Sequence, residues 1–80
     1  MSFKLSILAI DREIFEGEAS ALSLPTHEGF IQVLGGHTPM VTILTEGDMV
    51  IEKEGKSQTI PIAGGVLEVL PEKVVALVNF

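Results

Sequence analysis

The amino-acid sequence predicts an all-β domain, a flattened sandwich or barrel of about eight to ten short strands. Three observations carry the prediction. Eight valines, eight isoleucines and five threonines place 21 β-branched residues among 80, and branched side chains suit the pleated, half-buried surface of a sheet. Eight glycines and four prolines punctuate the chain, leaving turns roughly every 8–12 residues, the spacing of short antiparallel strands. Apolar residues recur mostly with period two, and no segment sustains the 3.6-residue period of an amphipathic helix.

Taken in order, Phe3, Leu5, Ile7 and Ala9 alternate with Lys4, Ser6, Leu8 and Ile10 and predict a first strand. Asp11-Arg12 is a polar turn, and Ile14-Phe15-Glu16 opens a second strand that Gly17 interrupts. Between Ser20 and Leu24 the alternation puts Leu22 and Leu24 on one face, and Pro25 stops the ladder because it has no N–H to donate. Phe30 to Leu34 is a short apolar run, and Gly35-Gly36-His37-Thr38-Pro39 is a turn. Met40 to Leu44 continues as a strand, broken at Glu46-Gly47-Asp48, and Met49-Val50-Ile51 leads to a hairpin tip at Glu54-Gly55-Lys56. Ser57 to Ile62 alternates, with Pro61 marking an edge strand or bulge. After a break at Gly64-Gly65, Val66 to Leu70 and Lys73 to Val78 are the last strands, joined by Pro71-Glu72. The expected interior includes Leu5, Ile7, Leu22, Leu24, Ile43, Leu67, Val69 and Leu77.

Length and charge remove whole classes of function. An 8.6 kDa chain has room for one domain with a thin core, burying about 60–65% of its unfolded surface. With no cysteine there is no disulfide, thiolate metal site or thiol nucleophile. The net charge is −6, and the five cations Lys4, Arg12, Lys53, Lys56 and Lys73 are scattered along the sequence, which argues against a nucleic-acid surface and against insertion into anionic lipid. No apolar run approaches the ~20 residues of a membrane span, and the apolar stretch after Met1 is too short for a signal peptide. These features predict a cytosolic protein.

Chemical motifs are approached and missed. Gly55-Lys56-Ser57 ends like a phosphate-binding loop, but Val50 stands where the first glycine belongs and β alternation follows where a helix must. His27-Glu28 begins like a zinc-protease helix, but Ile31 replaces the second histidine. Geometry leaves a metal set built on His27 and His37 open, but a metal usually takes three or four protein ligands, so His27 is expected to be a solvated loop residue. No serine lies in a nucleophile elbow. Glu16 and Glu18 share a strand face, where a solvated acidic surface explains them without acid–base chemistry. The residues therefore predict no catalytic site, no cofactor and no small-molecule substrate, and a domain that works by contact. The alternative from another class is a small β-barrel enzyme or ligand-binding module.

Leu34-Gly35-Gly36-His37-Thr38-Pro39-Met40-Val41-Thr42 resembles the pattern Leu-Pro-Gly-His-Ala-Pro-Leu-apolar-Thr of the epsilon subunit of F-type ATP synthases, called delta in mitochondria. Ile14-Phe15-Glu16-Gly17-Glu18 is similar to the family's early Val-Phe-polar-Gly-polar segment. Ala63-Gly64-Gly65-Val66-Leu67-Glu68-Val69 resembles Ser-Gly-Gly-apolar-Leu-Glu-Val, and Lys73 to Val78 resembles the closing Lys-Val-Thr-Val-Leu-Ala. The match runs without a gap over residues 3–79.

The resemblance implies an epsilon-type β-sandwich over 1–80 that acts as a non-catalytic rotor subunit, coupling gamma to the c-ring on the cytoplasmic side of the energy-coupling membrane. It implies contact with gamma through Gly36, His37, Thr38, Met40 and Thr42, and with the c-ring through Glu28, Gly29, Phe30 and Ile31. The family's carboxy-terminal helical hairpin has no counterpart before Phe80, so the resemblance implies a short form consisting of the sandwich alone. Two departures stand out. Gly35 replaces the proline of Pro-Gly-His, and Phe30 stands where many members carry an acid close to the ring. Contact at that point is therefore expected to be apolar or to rest on Glu28.

Overall fold

The computed structural model describes residues 1–36 and 38–80; His37 lies outside the described residues. Among them the chain forms nine strands and no helix: β1 (Phe3–Leu8), β2 (Glu13–Ala19), β3 (Ala21–Thr26), β4 (Gly29–Leu34), β5 (Met40–Leu44), β6 (Gly47–Lys53), β7 (Lys56–Ile62), β8 (Gly64–Val69) and β9 (Lys73–Asn79). They pair in the order β2-β1-β9-β8-β5-β3-β6-β7, with β4 added to the free side of β3. Among the described residues only the β1–β9 pair is parallel.

The sheet becomes a sandwich at β3. Residues Ala21 to Ser23 pair with Val50 to Glu52 of β6, whereas Thr26, at the other end of the same strand, pairs with Leu44 of β5. One strand thus serves both halves, and the curled sheet closes over a core that includes Leu5, Ile7, Leu22, Leu24, Met49, Ile51, Leu67, Val69 and Val74. Pro61 lies in β7, at one end of the strand order, as expected of an edge. The Lys53–Lys56 hairpin turns through Glu54 (φ 53°) and Gly55 (φ 80°), two positive φ values in succession that match the twist of the flanking strands.

Two expected core residues are corrected. Ile43 is 58% exposed and Leu77 is 51% exposed. Thr42 and Leu44 in β5, and Ala76 and Val78 in β9, face inward instead. Both strands are apolar on both faces, so alternation alone gives them no phase. The phase comes from β8, where Leu67 is fully buried and lies opposite both Thr42 and Ala76. Directly opposed residues share a sheet face, so Leu67 turns its two partners inward and their neighbours outward. Gly17 and Gly64-Gly65, expected as breaks, lie inside β2 and β8.

The registers also sort the turns to two ends of the sandwich. One end gathers residues 9–12, 27–28, 45–46, 63 and the last residues after β9. The other gathers the first two residues, Ser20, residues 35–39, 54–55 and 70–72. Asp11, Glu13, Glu28, Glu46 and Asp48 belong to the first end with Arg12 as its one cation. All four lysines belong to the second, where Lys4 is the register partner of Lys73 and Lys53 of Lys56. The lysines that are scattered in sequence are therefore gathered at one end in space.

Candidate partner-binding surface

The β3–β4 hairpin tip is held by one threonine. Thr26 is buried, and its Oγ1 donates to the Gly29 carbonyl at 2.6 Å while accepting the Glu28 N–H at 3.2 Å. Gly29 has φ +120°, with no atom within 4 Å of where a Cβ would stand. This closes the chain in two residues and presents Glu28 and Phe30 to solvent, Phe30 with 63% of its surface exposed. Ile31 is half-buried against the core. The four residues expected at the ring are thus contiguous at the acidic end.

The second expected segment lies at the opposite end of β4. Gly36 is exposed with φ +79°, and Thr38 and the first residue of β5, Met40, are exposed. His37, expected at this contact, lies outside the described residues. Thr42 is buried, so on β5 the outward side chains are those of Val41 and Ile43. Six strand residues at ~3.3 Å each separate the two segments by about 20 Å, close to the 28 Å longest extent of the domain.

Two apolar features adjoin these segments. An open groove of about 320 Å³ runs between β4 and the start of β5, lined by Ile31, Val33, Leu34, Met40 and Val69 among others. On the outer face of the sheet, the registers align Ile43, Val66, Leu77 and Leu8 in one row across β5, β8, β9 and β1. The first three are exposed, and Val41 lies one row away. Sequence reasoning missed this row because an apolar residue in a doubly apolar strand is read as core. Beside it, Ser6 Oγ donates to Glu16 Oε1 at 2.6 Å, which places Glu16 in a structural role on the outer face.

Among the described residues no three of His, Asp and Glu converge in a way that could hold a metal ion. Glu54-Gly55 is a hairpin turn, not a phosphate-binding loop. No helix of the described residues is long and apolar enough to cross a membrane.

The family model described as "ATP synthase, Delta/Epsilon chain, beta-sandwich domain" matches residues 2–80. The fold is similar to that of a chain in the cryo-EM structure of the Euglena gracilis mitochondrial ATP synthase, OSCP/F1/c-ring. The TM-score is 0.92 at 28% identity, covering 99% of this chain and 51% of that one. A chain of the Tetrahymena thermophila mitochondrial ATP synthase central stalk and c-ring shares the fold with TM-score 0.83 at 16% identity, covering 98% of this chain and 63% of that one. The chain therefore spans about half to two-thirds of the length of these solved relatives. With the family pattern matched across all but the first residue, the chain belongs to the ATP synthase delta/epsilon family and comprises its beta-sandwich domain.

Proposed function

We propose that this domain is a non-catalytic central-stalk subunit of an F-type ATP synthase, which joins the gamma subunit to the c-ring so that torque passes between the proton-driven ring and the catalytic head. It makes and breaks no bonds and needs no cofactor. It works as a peripheral part of the complex, on the cytoplasmic side of the energy-coupling membrane. The observation that carries the reading is the family match over residues 2–80, supported by the likeness to a chain in a structure of F1 with its c-ring.

The geometry suits a coupling. Two exposed segments sit at opposite ends of one strand, and that strand is hydrogen-bonded along its length to β3. Gly36, His37, Thr38 and Met40 are proposed to meet gamma, with Val41 and Ile43 extending the contact along β5. Thr42 contributes by its buried packing, which holds those neighbours outward. Glu28, Gly29, Phe30 and Ile31 are proposed to meet the ring. Phe30 supplies no charge, but the acidic end around it carries five carboxylates against one arginine, so attraction to cationic ring loops is expected to survive there and to fall with salt.

Cysteine substitution tests the orientation cleanly in a chain without native cysteine. In the assembled complex, Glu28→Cys or Phe30→Cys is expected to form a disulfide with a cysteine in the polar loop of the ring, because the bond needs Cα atoms within about 7 Å. Lys56→Cys, at the other end of the sandwich, is expected to remain unlinked. Cross-linking at Lys56→Cys with none at either hairpin position would reverse the domain on the ring.

A further inference from the structure

We propose that the gamma subunit docks by adding an extended segment to the outer edge of β4 at Phe30 and Gln32, with alternate side chains entering the groove between β4 and β5. The inference rests on the central-stalk reading above and specifies how that contact is made. Among the described residues, β2 and β7 end the strand order and β4 lies off it, paired on one side to β3. Two of these edges are blunted. β2 carries Glu13, Glu16 and Glu18, and β7 carries Lys56 and Pro61, the devices that keep sheet edges from pairing with other chains. β4, Gly-Phe-Ile-Gln-Val-Leu, carries neither charge nor proline.

The direction of the free groups follows from printed bonds. On β3, the Pro25 carbonyl accepts from Thr45 N and the His27 N–H donates to the Ile43 carbonyl, so odd-numbered residues at this end turn their backbone groups toward β5. Their register partners on β4 are Phe30 for Pro25 and Gln32 for Ser23. In an antiparallel ladder such pairs exchange no bonds with each other. Phe30 and Gln32 therefore aim their N–H and C=O outward, away from β3. The side chains of Phe30 and Gln32 are exposed, and the groove follows this edge of β4, lined by Ile31, Gln32, Val33 and Leu34 in succession. A strand laid on this edge gains backbone bonds at two residues and an apolar trough for every second side chain, the strand-addition mode of peptide recognition.

Charge and continuity select the occupant. A second copy brings another −6, so self-pairing is opposed by repulsion, and a heterologous, cationic partner is favoured. The edge also joins the hairpin tip at Glu28 to the turn at Gly36, the two segments proposed to meet the rest of the stalk. The matching gamma segment is alternately apolar and runs along Phe30 to Gln32, clear of the ring-facing carboxylate of Glu28.

Proline at position 32 isolates the edge. Because the Gln32 N–H points away from β3, Gln32→Pro removes an outward donor and spares the β3–β4 ladder, the setting in which edge strands accept proline. Binding of the full chain to the gamma subunit from the same source is measured by calorimetry, with thermal unfolding as the check on folding. Gln32→Pro is expected to weaken binding at least 30-fold, about 2 kcal/mol, with unchanged melting, and Gln32→Thr to stay within about threefold of the wild type. The Phe30 and Gln32 amides are expected to exchange with solvent deuterium more slowly in the complex. Wild-type affinity in Gln32→Pro, with both amides still exchanging freely, overturns edge pairing while leaving the stalk reading intact. A wild-type chain that does not bind gamma overturns both. A wild-type homodimer that Gln32→Pro dissolves, without protection by gamma, assigns the edge to self-association and also overturns the proposal. Should Gln32→Pro melt early, Phe30→Pro, which removes the other outward donor, and the exchange rates in the wild-type complex decide between the same outcomes.

Discussion

Gly65→Ala is expected to unfold the domain. A Cβ at this position would overlap the Leu77 carbonyl oxygen and lie 2.9 Å from Val78 Cα, both backbone atoms of the neighbouring strand that cannot rotate aside. Gly65 also holds φ +149°, where side chains are rarely found. The β8 strand approaches β9 closely because this residue has no side chain, and relief would require separating a pair that extends from Gly64 to Val69. The cost is expected to exceed about 4 kcal/mol, against a total of ~5–15 kcal/mol for a small domain. Gly36→Ala is the comparison: φ is +79°, but no atom lies within 4 Å of the added carbon. Its cost is the left-handed backbone alone, about 1–2 kcal/mol. Circular dichroism melts distinguish the two, and a Gly65→Ala domain that melts within about 5 °C of the wild type would contradict the close β8–β9 approach.

Leu67→Ala is expected to cost about 3–4 kcal/mol and to lower the melting temperature by ~15 °C or more. Leu67 is fully buried on β8, the strand between β5 and β9, and it sets the inward phase of both neighbours. Its truncation removes apolar contact and leaves a cavity in a core that an 80-residue chain cannot readily reseal. Val66→Ala, one residue earlier and on the outer face, is expected to change stability by no more than about 0.5 kcal/mol. Chemical denaturation of both variants tests the register directly. Equal costs, or a larger one at Val66, would put β8 in the opposite phase.

Most of the strands were legible because alternation and turn residues agreed. Leu5, Ile7, Leu22, Leu24, Leu67 and Val69 alternate as core residues in the sequence and are buried. The hairpin at Glu54-Gly55 was readable from composition, and its successive positive φ values give the physical reason. Ile43 and Leu77 were misassigned because β5 and β9 are apolar on both faces, so their phase depends on a partner strand distant in sequence. That dependence also hid the exposed row of Ile43, Val66 and Leu77. The segregation of lysines from the acidic end was illegible for a related reason. It arises from which strands run which way, and period-two patterns carry no direction.

The candidate site was legible in part. Glu28, Gly29, Phe30 and Ile31 come together as a contact segment only through the family resemblance, since period-two alternation carries no information about partners. That Thr26 would tie the turn through both its donor and its acceptor required the folded geometry. The inward side chain of Thr42 was not foreseeable, since threonine is at home on either face of a strand. The outward edge of β4 at Phe30 and Gln32 was invisible for the same reason as the charge segregation: strand order, not composition, decides which strand lies at the margin of the sheet.

A subunit that bridges gamma and the c-ring, as proposed, must hold both at once. The most direct measurement is light scattering coupled to size-exclusion chromatography on the chain mixed with gamma and detergent-solubilised c-ring from the same source. One copy of the chain is expected to elute with one gamma on each ring. Glu28→Lys, which reverses charge at the ring-facing tip, is expected to lower retention on the ring while leaving the chain–gamma complex intact. A chain that elutes alone in the presence of both partners, or that loads onto the ring in many copies without gamma, would contradict the bridging role.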